Sequence, residues 1–118
     1  MNLISTLAVV IVALLHAWFL VLEMFLWTRP FGRRTFGLSR EAAESSASLA
    51  ANQGLYNGFL AAGLIWGVLS NAADVKLFFL GCVIIAGLYG GITVKRSILW
   101  IQALPAVIAF LLVQLSRP

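Results

Sequence analysis

Four apolar runs, each about as long as a bilayer is thick, constrain this chain more than any other feature of its sequence. A helix rises about 1.5 Å per residue and bilayer hydrocarbon is roughly 30 Å thick, so about 20 apolar residues cross it. The runs fall at about 3–27, 50–69, 75–94 and 98–115. Of the 118 residues, 62% are hydrophobic and 10% charged, against about 25% charged in an ordinary soluble domain. A chain this small keeps much of its surface facing solvent. Four acidic and eight basic residues cannot make that surface wettable. Lipid is the expected solvent, and segment length selects helices, which satisfy their backbone groups internally. The expected fold class is an all-α membrane protein: a single domain over residues 1–118, built as an antiparallel bundle of four transmembrane helices.

Residues 28–49 form the only sizeable loop. Arg29-Pro30-Phe31-Gly32 reads as a turn, because Pro30 and Gly32 both oppose helix continuation. From Ser39 the chain becomes rich in Ala and Glu, with Ser39 suited to an N-cap and Glu41 to the positive end of the helix dipole. This helix is expected to run into the second span as a cytoplasmic extension. Ser70, Asn71 and Asp74 make a polar turn before the third span, with Asn71 or Asp74 available as N-cap. Lys95, Arg96 and Ser97 are almost all that separates spans three and four. The first run lacks a basic leader and a small-residue cleavage site, and it is too long for a signal peptide, so it is expected to stay.

Charge sets the orientation. With four spans, loops one and three share one side and carry Arg29, Arg33, Arg34, Arg40, Lys95 and Arg96. The other side carries only Lys76 and Arg117. Basic residues favour the cytoplasm, so both termini, including Pro118, are expected outside and Ser45 inside. A net charge of +4 distributed in this way is not a nucleic-acid footprint.

Polar residues inside spans are costly in lipid and face a bundle interior or a water-filled cavity. His16 and Glu23 lie two turns apart on one face of span one, about 10 Å along the axis. On span two, Asn52 and Tyr56 share one stripe, and Gln53 and Asn57 the adjacent one. Tyr89 lies towards the end of span three and Gln102 near the start of span four. One polar pocket in the cytoplasmic leaflet, lined by all four helices, is the economical expectation. Its ligand-binding or proton-titrating residues are then His16, Glu23, Asn52, Gln53, Tyr56, Asn57, Tyr89 and Gln102. Glu23 is expected to be hydrogen-bonded to a carboxamide of Asn52, Gln53 or Asn57. The competing reading makes the carboxamides interhelical glue and Glu23 a side chain that snorkels towards Arg29 or Arg33.

Glycine pairs 54/58, 63/67 and 87/91 permit close backbone approach in lipid, either within the bundle or at a homodimer seam. Pro105 removes one backbone donor from span four and should free the carbonyl of Ile101, with a kink. Trp27 and Trp100 suit interfacial anchoring. The single Cys82 excludes an internal disulfide, and no metal-ligand cluster, phosphate-binding Gly loop, heme motif or nucleophile elbow is present. No cofactor, metal, nucleic acid or covalent catalytic residue is expected.

His16 to Trp27 followed by Arg33 to Leu38, together with Ala50 to Leu64, resemble the small bacterial integral membrane proteins catalogued as domain of unknown function 1304. The run Asn52-Gln53-Gly54-Leu55-Tyr56-Asn57-Gly58 is the most specific part of that likeness, which extends over essentially the whole chain. The resemblance implies four helices in the bacterial cytoplasmic membrane and no particular activity. Small multidrug resistance exporters are similar in length, helix number and the presence of a Glu in helix one. Their helix-one and Trp-containing motifs are missing here, so that similarity is analogy.

The leading functional expectation is binding, with proton-coupled transport, of a small amphipathic or lipid-like molecule. Glu23 would titrate, and Asn52, Gln53, Tyr56 and Asn57 would hydrogen-bond the ligand. The alternative is a membrane isomerase or lipid-modifying enzyme with Glu23 and His16 as acid and base. A structural membrane partner protein is the third reading.

Overall fold

A computed structural model describes residues 2–117. Met1 and Pro118, the residue on which the expected outward C-terminus rests, lie outside the described residues. Among those residues the chain is all helical: α1 (Leu3–Met24), α2 (Pro30–Phe36), α3 (Arg40–Leu69), α4 (Ala73–Thr93), a wide π turn (Leu99–Ala103) and α5 (Leu104–Leu115). Two of the helices, α1 and α4, are long and apolar enough to cross a membrane. The apolar half of α3 is diluted by its carboxamides, and the segment Leu99–Leu115 is shorter.

The expected run 3–27 ends early as a helix. After Met24 the amide of Leu26 donates to the carbonyl of Val21, and Arg29 to that of Leu26, so the backbone leaves the α register. The turn expected at Arg29 to Gly32 is corrected too. Pro30 occupies the first turn of α2, where its missing N–H costs nothing and its fixed φ suits a helix start. Gly37 closes α2 in the left-handed region at φ 65, a conformation open to Gly without a Cβ penalty. Ser39 does cap α3: its Oγ accepts from the amide of Ala42 at 3.1 Å. Helix α3 then runs unbroken from Arg40 to Leu69. Neither Asn71 nor Asp74 caps α4; Ala72 holds that position without a side-chain bond. Asn71 instead takes φ 50 after α3, a conformation that Asn tolerates better than most residues. Pro105 falls in the first turn of α5. The lost donor is accommodated by the π turn before it, where the amide of Leu104 reaches the carbonyl of Leu99.

The chain divides into two units, Leu15–Phe59 and Met1–Leu14 with Leu60–Pro118. The second has a core of small and medium side chains: Val9, Val12, Ala13, Leu64, Leu80, Val83, Ala106, Ala109 and Val113. Many of its large side chains nonetheless face outward, with Phe78 66% and Ile92 80% exposed. A soluble monomer rarely exposes so much contiguous apolar surface. Glycine permits the tight packing. A Cβ on Gly63 would strike the Phe79 ring, and one on Gly87 would lie 2.8 Å from the backbone nitrogen of Ala103 in the π turn.

Candidate functional site

The unit Leu15–Phe59 brings the end of α1 against the first two-thirds of α3. Two glycines make that approach. A Cβ on Gly54 would lie 2.8 Å from Met24 Cγ and 3.0 Å from Glu23 Cβ, and one on Gly58 would lie 2.5 Å from Leu20 Cδ1. Immediately before each glycine stands a carboxamide, Gln53 and Asn57, one helical turn apart. Backbones this close allow the two short side chains to reach α1.

They meet on Glu23. Gln53 Nε2 donates to Glu23 Oε2 at 2.5 Å, and Asn57 Nδ2 donates to Oε1 at 2.6 Å. Both carboxylate oxygens are thus occupied, and the residue is 5% exposed. Two amide donors on two oxygens satisfy a carboxylate anion, which accepts and does not donate. A carboxamide turned end for end presents its C=O, so the same pair can also accept from a protonated acid. The partners fit both states of Glu23. No ion pair joins Glu23 to Arg29 or Arg33 among the described residues.

Around this centre the unit is tied by aromatic contacts. Trp27 donates its indole N–H to Ser46 Oγ at 3.0 Å and lies against the Phe36 ring at 4.8 Å. Trp18 meets Phe31 edge-on. Gly32 packs on the backbone of Leu26 with no space for a Cβ. The α2 segment is thereby fastened to the end of α1.

The family model described as a protein of unknown function (DUF1304) matches residues 10–114. The chain belongs to the DUF1304 family. The DUF1304 chain is 29% identical over 115 residues to the uncharacterized protein YpaA of Lactococcus lactis subsp. lactis (strain IL1403), covering 94% of this chain and 97% of that protein. No solved structure gives a significant match.

The remaining expected site residues of the DUF1304 chain lie in varied surroundings. His16 is fully buried with its ring edge-on to Phe19 at 5.2 Å. Asn52 and Tyr56 are exposed, on the α3 stripe beside the one that holds Glu23, and the Tyr56 ring meets Phe59 edge-on. Tyr89 is exposed and Gln102 half-buried, both in the other unit. Of the eight, three converge: Glu23, Gln53 and Asn57.

Sequence reasoning missed a second polar cluster. Lys76 and Ser5 are buried, and both line a cavity of ≈ 270 Å³ in the unit Met1–Leu14 with Leu60–Pro118. The signal available was a lysine one turn into an apolar helix, which served only as a topology count.

Proposed function

We propose that this DUF1304 protein is a four-span membrane protein that binds a small amphipathic or lipid-like molecule at Glu23, with binding coupled to a proton on that carboxylate. The observation that carries the reading is the carboxylate of Glu23, buried and held by two carboxamides able to serve either protonation state. A carboxylate kept only as an anchor gains nothing from partners that can switch between donating and accepting. The spans proposed are α1, the apolar half of α3, α4 and Leu99–Leu115, in a bacterial cytoplasmic membrane with both termini outside. Support comes from the many large apolar side chains left on the surface and from the six basic residues grouped in loops one and three. Self-association is proposed without an assigned surface, because the glycine pairs read as its seam have neighbours in the same chain.

The test is native mass spectrometry of the purified chain beside Glu23→Gln, both extracted from the same membranes. The expected result is a bound small molecule on the wild type, reduced at least tenfold on the variant. A ligand-free spectrum for both, with unchanged stability, would leave the three side chains as interhelical glue.

A further inference from the structure

The cavity in the unit Met1–Leu14 with Leu60–Pro118 is lined by Asn2, Ser5, Asn71, Lys76, Ser116 and Arg117, with Ala73 and Val113. Lys76 is its most constrained member. It stands in the first turns of α4 and is 5% exposed. Its stem lies along α3 where Gly67 leaves room, since a Cβ there would come 2.7 Å from Lys76 Cγ. Its ammonium makes no hydrogen bond or ion pair among the described residues. The residue is largely buried but its ammonium is not sealed off, so an anion in the cavity that reaches it would offset the cost of holding the charge there.

Among the described residues no group supplies that compensation. Asp74 is the nearby carboxylate, and it is 89% exposed and held by Arg117 Nη2 at 3.2 Å. The Ser5 hydroxyl donates to the Asn2 carbonyl at 3.1 Å, and that of Ser116 to Val113 at 3.0 Å. Other donors line the same cavity. Asn2 Oδ1 already accepts from the Ser5 amide at 2.9 Å, which leaves its NH₂ to donate. The N-terminus of α4 has no side-chain cap, so its first amides and the positive end of its dipole stay available to an anion. Donors thus converge from the starts of α1 and α4 and from the end of α5.

From this convergence we propose that the cavity binds a phosphate group, free or carried on a lipid headgroup, with Lys76 as the principal charge and Arg117 as its flank. A tetrahedral anion with several oxygens matches donors arriving from three elements, and it pairs the Lys76 ammonium. The site does not depend on Glu23, so either reading can fail alone.

The experiment uses the full chain in a neutral maltoside detergent and in nanodiscs. Thermal unfolding is followed with inorganic phosphate against chloride at equal ionic strength. In parallel, nanodiscs of phosphatidylcholine are compared with nanodiscs doped with phosphatidylglycerol. The wild type should gain stability saturably in at least one arm. Lys76→Met should abolish that gain, Arg117→Gln should weaken the apparent affinity about tenfold, and Arg34→Gln, on exposed α2, should leave it intact. A response to phosphate itself identifies a free anion as sufficient; a response to phosphatidylglycerol alone identifies the headgroup. The proposal is overturned by a wild type that responds to neither, or by a gain that survives Lys76→Met. An equal loss in Arg34→Gln would also overturn it, by marking general surface charge. Should Lys76→Met fail to fold, Lys76→Arg retaining the gain while Arg117→Gln weakens it supports the site, and a gain untouched by Arg117→Gln overturns it.

Discussion

At the scale of single residues, Glu23 shows how far spacing reaches. Seven residues place His16 and Glu23 on one face, and both are buried. Spacing also groups Gln53 with Asn57, but it cannot say that this stripe, and not the one with Asn52 and Tyr56, turns to α1. That choice follows from Gly54 and Gly58, whose missing side chains define the face of closest approach. Glu23→Gln should keep the fold, since one carboxamide can reverse to accept from the new NH₂. Glu23→Ala should cost about 1–3 kcal/mol, because it strands two polar groups that had partners. Both values are readable from unfolding in detergent, and equal losses for the two variants would mean that the hydrogen bonds contribute little. Ser46→Ala removes the acceptor of the Trp27 indole and should cost about 1 kcal/mol, with a shift in tryptophan fluorescence as its signature.

At the scale of elements, glycine and proline were legible as punctuation, while their use was not. Pro30 read as a breaker starts a helix, because its cost depends on whether an N–H is required at that position. Pro105 read as a kink is served by a π turn, and that turn packs on Gly87. The glycine pairs fitted either internal packing or a dimer seam, and sequence carries no information on which neighbour fills the space. Gly63→Ala should destabilise by about 1–3 kcal/mol through overpacking, because its Cβ would strike the Phe79 ring. Phe79→Leu in the same chain should recover most of that loss. Light scattering should show the same subunit number for both proteins. A folded Gly63→Ala variant that changes subunit number would instead make this glycine a contact between copies.

For the whole molecule the decisive property is how much large apolar surface the packed helices leave facing outward. The unit built on Val9, Leu64 and Leu80 has a core made mostly of Ala, Val and Leu and leaves many large apolar side chains, Phe78 and Ile92 among them, on its surface. That exposure is favourable where the surroundings are as apolar as the side chains themselves. In the four-span arrangement proposed above, the basic residues of loops one and three would orient the chain. Cysteine labelling in a Cys82→Ser background should modify Ser45→Cys from the cytoplasmic side only. A reporter fused at the C-terminus should be active outside. A cytoplasmic C-terminus would reverse the orientation proposed and place Lys76 and Arg117 on the inner face.

What the sequence determined by itself is local or additive. Helix type follows from runs of apolar residues, the start of α3 from the hydroxyl of Ser39, and its unbroken course from the absence of proline between Arg40 and Leu69. Each of these depends on neighbours within a few positions. The tertiary structure decided what depends on distant partners: the two carboxamides that take Glu23, the ring that fills the space at Gly63, and the enclosure of Lys76. Periodicity reports which face a residue occupies, and only the packing of separate helices reports what that face meets.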